Sequence, residues 1–233
     1  MSVRLETRGL GRTLDVEPRP VVLVRGASLT VEAGEFVAIL GPSGCGKSSL
    51  LYLLGLLDRP SEGEVLIDGK ATSRLSHDER TRMRLENIGF VFQFHFLLPE
   101  FSALENVALP MRRLGRLDGE AIEARAVALL GALGLEGEER KRPSQMSGGQ
   151  RQRVAIARSL ANDPAMILCD EPTGNLDSDN SAIVVDVFKR LAHTEGRSII
   201  CVTHDEKVAE AADRRIRMLD GRVIAGGGAA PAR

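Results

Sequence analysis

A glycine-rich segment followed by a lysine and a serine carries the clearest chemical signal in the sequence. Gly41 and Gly46, with Lys47 and Ser48 directly after, have the spacing of a loop whose backbone N–H groups surround phosphate oxygens. In such a loop the lysine reaches the β- and γ-phosphates and the hydroxyl binds Mg²⁺. We therefore predict a nucleotide site in this segment, the phosphate loop, built from Gly41, Pro42, Ser43, Gly44, Cys45, Gly46, Lys47, Ser48 and Ser49.

The segments on either side of the phosphate loop have the patterns that such a loop requires. The apolar run 36–40 indicates a buried parallel strand, and the run 48–57 indicates a helix whose positive N-terminal end faces the phosphates. Cys45 lies inside the loop, where it is either a small spacer or a thiol exposed in the absence of nucleotide. In the second case alkylation of Cys45 would block nucleotide binding.

Two adjacent acids, Asp170 and Glu171, follow the apolar run 166–169. A strand that ends in this way places both carboxylates at the carboxyl edge of a parallel sheet, where ligands bind. One of the two carboxylates can bind a metal ion, and the other can accept a hydrogen bond from a water molecule. We therefore predict that these acids lie beside the phosphate loop.

A second anion-binding helix terminus is predicted by a serine and two glycines that open a helix over about 150–161. Because the phosphate loop already holds the phosphates bound by its own chain, we expect this terminus to act on nucleotide held by a partner chain. Its residues are Ser147, Gly148, Gly149 and Gln150.

Composition narrows the class of protein. With 233 residues and 43% hydrophobic content the chain can bury a large core, which predicts one domain or two lobes. The formal net charge of −1 gives no overall basic bias, so nucleic acid is not expected as a partner.

The longest apolar run, 50–57, is far shorter than the roughly 20 residues that span a bilayer, and no signal-peptide pattern is seen, which predicts a cytoplasmic chain. Three widely spaced cysteines indicate reduced thiols.

The order of apolar and polar segments predicts an α/β fold with a helical region in its middle. Strands at 165–169 and 198–203, with a helix at about 181–194 between them, are typical of a parallel sheet. The middle region is helical over about 76–84 and 118–134, and Pro99 and Pro110 are expected to interrupt it. Short strands of an antiparallel edge are predicted at 3–7 and 23–31, and a further short strand is predicted at 64–67.

Taken in order, these motifs resemble those of the ATPase subunits of ABC transporters, from about residue 5 to 224. Residues 147–160 match the signature sequence of that family. The resemblance implies an α/β fold: a P-loop NTPase (RecA-like) core with a parallel sheet, an antiparallel β edge subdomain and a helical signature subdomain. The implied boundaries are 1–225 for the ATPase domain, about 1–92 and 162–225 for its core lobe, about 93–161 for its helical lobe, and 226–233 for a flexible tail.

The resemblance also implies ATP and Mg²⁺ as cofactors and a role for each site residue. Lys47 would bind the phosphates, Glu171 would be the general base, and His204 would contact the γ-phosphate and hold the water. The implied metal-binding residues are Ser48, Gln93 and Asp170, and Gln93 would also contact the nucleotide. Ser147, Gly148, Gly149, Gln150 and Asp177 would act on ATP held by a second copy, which implies a homodimer with two shared sites.

Within the family, the segment 92–110 resembles the lipoprotein-releasing (LolD-type) ATPases more than their relatives. This implies a peripheral protein at the cytoplasmic face of the inner membrane with two integral membrane permease subunits. Two sibling groups stay open: a macrolide- or peptide-type efflux ATPase, and a cell-division-type ATPase that signals across the membrane without moving cargo. An ABC ATPase acting on nucleic acid fits less well, because the sequence has no net basic charge.

An aromatic cluster and one departure from the family pattern complete the sequence-based expectations. Phe92, Phe94, Phe96 and Phe101 form either a groove for the permeases' cytoplasmic helices or a small core under the helical lobe. Where the family usually has an aromatic residue that stacks on adenine, this sequence has Leu14. We therefore expect an apolar contact from Leu14 or the run 21–24, with modest discrimination between ATP and GTP.

Overall fold

The computed structural model describes residues 2–224 as two β-sheets with helices packed around them. The strands of this part of the chain are β1 (Val3–Leu14), β2 (Val21–Glu32), β3 (Phe36–Leu40), β4 (Glu62–Ile67), β5 (Lys70–Ala71), β6 (Ile88–Phe92), β7 (Met166–Asp170), β8 (Ser198–Val202), β9 (Arg214–Leu219) and β10 (Arg222–Ile224). Its α-helices are α1 (Lys47–Leu54), α2 (His77–Asn87), α3 (Ala103–Leu114), α4 (Gly119–Gly131), α5 (Gly148–Ser159), α6 (Ser178–His193) and α7 (Glu206–Ala211). The predicted tail, 226–233, lies outside the described residues.

The central sheet has the strand order β10-β9-β3-β8-β7-β6, and all neighbouring strands except β10 run parallel. Parallel strands end at the same edge of a sheet, so the loops after β3, β6, β7 and β8 meet there. These are the loops that carry the phosphate loop, Gln93, Glu171 and His204. The predicted parallel α/β sheet is therefore confirmed.

The second sheet is antiparallel, with the strand order β2-β1-β4-β5. Its strands β1 and β2 are twelve residues long, so they extend beyond the predicted 3–7 and 23–31. The register of this pair shifts between Thr7 and Leu10, and Gly9 adopts a left-handed conformation with φ of 57°. A bulge of this kind breaks the alternation of apolar and polar residues, which is why the strands predicted from that alternation were too short.

Helix α3 contradicts the predicted interruption at Pro110, which lies inside this helix. A proline there removes one backbone hydrogen bond and costs about 3 kcal/mol or more. Two features offset that cost. The N-terminus has a reciprocal capping box between Ser102 and Glu105, and one face of α3 is buried, including Val107 and Met111. Tertiary packing therefore outweighs the local preference of proline.

Two hydrophobic clusters cover the two faces of the central sheet. Alternate residues of a strand belong to different clusters, as the two-residue period of a strand requires. Along β8, Ile199 and Cys201 join the cluster with α3–α6, whereas Ile200 and Val202 join the cluster with α1 and the antiparallel sheet. No helix within residues 2–224 is both long and apolar enough to cross a membrane.

Candidate functional site

The phosphate loop connects β3 to α1 at the carboxyl edge of the central sheet. Gly46 has a φ of 98°, in the left-handed region that favours glycine, and a Cβ there would collide with the carbonyl oxygen of Leu23. A Cβ at Gly41 would likewise collide with the carbonyl oxygen of Met218. These two glycines are therefore required by close backbone contacts between the loop and its neighbouring strands.

Lys47 is the first residue of α1, and its Nζ donates hydrogen bonds to the carbonyl oxygens of Gly41 and Pro42, at 2.8 and 3.0 Å. The preceding Gly46 supplies no side-chain cap to the helix. Uncapped backbone N–H groups at a helix N-terminus favour a bound anion. The loop, the lysine and the helix terminus thus provide the donors expected of a phosphate site.

Cys45 is not exposed, in contrast to the second of the two sequence-based alternatives. The residue is only 5% accessible and packs in the same hydrophobic cluster as α1. Its backbone N–H donates to Pro42, and its carbonyl accepts from Gly221. Cys45 is therefore a small buried spacer, which is the first of the two alternatives, and the structure does not show the exposed thiol of the second.

Asp170 lies at the end of β7 and accepts a hydrogen bond from the hydroxyl of Ser48, with 3.0 Å between Oγ and Oδ1. Burial raises the pKa of Asp170 above its usual value, the Ser48 hydrogen bond opposes this, and the nearby Glu171 charge adds to it. A cation would stabilise such a carboxylate. Hydroxyl and carboxylate oxygens are hard ligands of the kind that Mg²⁺ prefers, so these residues fit the ion.

Tyr52 is a residue of this region that the sequence reasoning missed. Burial raises the pKa of Tyr52, and the proximity of Asp170 adds to the shift. Tyr52 lies four residues after Ser48 in α1, and residues at this spacing share one face of a helix. The spacing was the signal that could have placed both hydroxyl groups near Asp170.

Glu171 has a left-handed backbone with φ of 47°, a strained conformation for a side chain of this size. Its Oε1 lies 2.9 Å from Nδ1 of His204, and its Oε2 accepts from the backbone N–H of His204 at 3.2 Å. The Glu171 side chain is 17% exposed and that of His204 is 71% exposed. The carboxylate is therefore held in place while the imidazole reaches into the cleft.

Gln93 follows β6 and contacts the loop 175–177 through Asn175. The Gln93 Nε2 donates to Asn175 Oδ1 at 3.3 Å, and the Asn175 Nδ2 donates to the Gln93 carbonyl at 3.2 Å. This reciprocal pair joins the ends of β6 and β7. It places Gln93 at the cleft and links it to the loop that leads to Asp177.

Most of these groups surround one cleft of about 670 Å³, whereas Pro42, Cys45 and Asp170 are not among its lining residues. Its lining brings together most of the predicted site: Leu23, Gly41, Ser43, Gly44, Gly46, Lys47, Ser48, Ser49, Gln93, Glu171 and His204. Leu23 belongs to the run 21–24 that was expected to contact the base, whereas Leu14 is not among the lining residues.

The predicted partner-facing residues lie on other elements. Ser147 caps α5, where its Oγ accepts from the Gln150 N–H at 3.1 Å and the Gln150 side chain accepts from the Ser147 N–H at 2.9 Å. Asp177 caps α6 and accepts from the side chain of Asn180. Neither group lines the cleft formed by its own chain.

A phosphate loop beside two acids and a histidine, at the carboxyl edge of a parallel sheet, defines a P-loop nucleotide hydrolase. Residues 24–174 match the family described as ABC transporter. The chain belongs to the ABC transporter family, as one of its ATP-binding, ATP-hydrolysing subunits.

Two proteins and one solved structure illustrate the similarity. The chain is 52% identical to the lipoprotein-releasing system ATP-binding protein LolD 1 of Chlorobium chlorochromatii, over 86% of this chain and 82% of that protein. It is 49% identical to the LolD protein of Aquifex aeolicus, over 87% and 89% of the two chains. The dimeric, post-hydrolysis structure of the ATP-binding cassette MJ0796 with ADP and Pi superposes with a TM-score of 0.90 at 41% identity, covering 96% of this chain and 98% of that one.

Proposed function

We propose that the chain is the ATP-hydrolysing subunit of a lipoprotein-releasing ABC system. In this proposal it works as a homodimer on two integral membrane permease subunits at the cytoplasmic face of the inner membrane. The observation that carries the proposal is 45–52% identity to four LolD proteins over 86–97% of this chain.

In the proposed mechanism the phosphate loop binds the phosphates of ATP. Lys47 exchanges its bonds to the Gly41 and Pro42 carbonyls for phosphate oxygens, and the α1 N-terminus supplies further donors. Ser48, Asp170 and Gln93 would hold Mg²⁺. When bound, the ion would neutralise the negative charge that develops on the phosphate oxygens.

Glu171 acts as the general base. Its carboxylate accepts a proton from the water that attacks the γ-phosphorus, and the bond from phosphorus to the leaving oxygen of ADP breaks. The short contact between Oε1 and the His204 Nδ1 fits a ring that donates from Nδ1. His204 then holds both the carboxylate and the γ-phosphate side of the cleft in place, so that positioning lowers the barrier.

Each complete site takes residues from two chains. Ser147 and Asp177 are exposed at helix N-termini and do not line their own cleft, which supports action on the nucleotide of a second copy. An isolated chain should therefore bind ATP but hydrolyse it slowly. ATP joins the two copies, and closing and opening of the dimer is the motion that the permeases use.

A groove of about 390 Å³ between β6, α2, α3 and α5 supports docking of the permeases. Phe92 lines this groove, and its ring packs edge-to-face on Phe96 with centroids 5.3 Å apart. Phe94 and Phe96 are 68% and 60% exposed, although large aromatic side chains usually lose solvent contact on folding. Phe101 is half buried, as the small-core alternative expects for that residue.

The proposal is tested by purifying the tagged chain from detergent-solubilised membranes of its source cell and identifying the proteins and lipoproteins that accompany it. We expect permease subunits with lipoprotein attached, and at least tenfold less of both permease and lipoprotein with the Phe94→Ala/Phe96→Ala variant. The matched control is Ile183→Ala, which removes a 45% exposed side chain from α6. Recovery of a drug exporter or a division complex in place of lipoprotein would reject the lipoprotein-releasing role.

A further inference from the structure

Thr203 follows β8 and is fully buried beside the general base of the proposed mechanism. Its Oγ1 donates a hydrogen bond to Oε2 of Glu171 at 3.2 Å and accepts one from the backbone N–H of Asp205 at 2.9 Å. A hydroxyl has a single proton. Because the Asp205 N–H occupies an acceptor position of Oγ1, that proton is free to point at the carboxylate.

The backbone around Thr203 is fixed from two sides. The Thr203 N–H donates to the Ile39 carbonyl at the end of β3, at 3.2 Å. Asp205 is held in turn, because its Oδ2 accepts from the hydroxyl of Thr173 at 2.9 Å and its Oδ1 accepts from the N–H of Lys207, also at 2.9 Å. The position of Oγ1 is therefore set by β3, by α7 and by the segment that follows Glu171.

Glu171 depends on such support more than an ordinary residue does. Glu171 directly follows β7, and its backbone is in the left-handed region, a strained conformation that persists only where surrounding contacts hold it. His204 is largely exposed, whereas Thr203 is wholly inaccessible to solvent. Of these two residues, only Thr203 contacts the carboxylate from the rigid interior.

We propose that Thr203 is a positioning residue for ATP hydrolysis, which sets the orientation of the Glu171 carboxylate through its hydroxyl. The inference rests on the proposed role of Glu171 as the general base. Thr203 does not line the nucleotide cleft and acts only through Glu171. Its loss should therefore slow the chemical step while leaving nucleotide binding intact.

The test compares steady-state ATP hydrolysis of the full chain with its Thr203→Val and Thr203→Ser variants. Valine keeps the shape and loses the hydroxyl, so we expect kcat to fall about tenfold, as when a group that orients an active-site residue is removed, with KM for ATP changed less than twofold. Serine keeps the hydroxyl and should restore kcat to within about threefold of the wild type.

Thr7→Val is a matched control for the loss of a buried hydroxyl. Thr7 is 2% exposed, and its Oγ1 also donates one hydrogen bond and accepts one, to the Ala27 carbonyl and from the Leu29 N–H. It lies in the antiparallel sheet, away from the cleft. Thr7→Val should lower the melting temperature by about as much as Thr203→Val and leave kcat unchanged.

The outcomes separate the two proposals. Wild-type kcat in Thr203→Val, an equal loss of kcat in Thr7→Val, or no rescue by serine would overturn the positioning role. A Glu171→Gln variant that still hydrolyses ATP would overturn both the proposed base and the inference that rests on it. An inactive Glu171→Gln variant beside a fully active Thr203→Val variant would leave the base in place and reject the role of Thr203 alone.

Discussion

The two adjacent glycines that begin α5 should respond to alanine in opposite ways. A Cβ at Gly148 would meet nothing closer than 3.9 Å, whereas a Cβ at Gly149 would collide with the Oδ1 of Asn180. Neither position has a left-handed backbone, so alanine, which has the higher helix propensity, gains up to about 1 kcal/mol at each of these first-turn positions. Gly148→Ala should therefore stabilise the fold, and for a chain of this length the melting temperature should rise by roughly 2–4 °C.

At Gly149 the collision displaces the Asn180 side chain, which donates to both carboxylate oxygens of Asp177 at 2.9 Å. Two such bonds are worth about 0.5–1.5 kcal/mol each, so after the gain in propensity Gly149→Ala loses about 1 kcal/mol net. Its melting temperature should fall by roughly 2–4 °C.

The ATPase rates of the Gly148→Ala and Gly149→Ala variants should not follow their stabilities. In the proposed dimer, Gly148 faces the nucleotide of the second copy, so Gly148→Ala should lose at least tenfold in ATPase rate although it is the more stable protein. Scanning calorimetry, nucleotide binding to the isolated chain and steady-state hydrolysis measure the three quantities separately. A stabilised Gly148→Ala variant with full ATPase activity would refute the reasoning that this helix terminus takes part in hydrolysis.

Three further outcomes are expected. Gly46→Ala should lose at least a hundredfold in ATP affinity by calorimetric titration because its Cβ collides with the Leu23 carbonyl, whereas Gly137→Ala, with a φ of 80° and open space, carries only the backbone strain and should bind normally. A maleimide should label Cys45 in urea but not in the native chain; fast native labelling would contradict its burial. Burial lowers the pKa of His95 below 6.5, and the nearby Arg151 charge adds to this, so the unfolded chain binds more protons as the pH falls. The part of the stability that depends on neutral His95 should be complete above pH 6.5 and decline below it, so urea midpoints should fall more steeply with pH in the wild type than in His95→Gln.

Much of the site could be predicted from the sequence because its chemistry lies in short, ordered motifs. A loop between an apolar strand and a helix needs only local residues to define it, and Lys47, Ser48 and Asp170 were placed from their neighbours in the chain. The parallel order of β3, β7 and β8 then brings the motifs to one edge. The end of each strand can be predicted from local residues, and the parallel arrangement then places these ends at the same edge of the sheet.

Other features depend on contacts between distant segments, which a single sequence does not reveal. The burial of Cys45 depends on packing in the cluster with α1, and the continuation of α3 through Pro110 depends on its buried face. The hydroxyl of Thr203 contacts a residue 32 positions away, and threonine after a strand is too common to be informative. These positions needed the structure because their partners are set by tertiary packing.

The measurement that tests the shared ATP site most directly is the mass of the Glu171→Gln variant in solution, with and without ATP, by light scattering. Without the general base, ATP should persist and hold two copies together, so we expect the mass to double from the 25.2 kDa of one chain. Adding Ser147→Arg to this variant should return it to 25.2 kDa, because the large cation blocks the helix terminus offered to the partner. A Glu171→Gln chain that stays monomeric with ATP, or a dimer that Ser147→Arg leaves intact, would contradict the account.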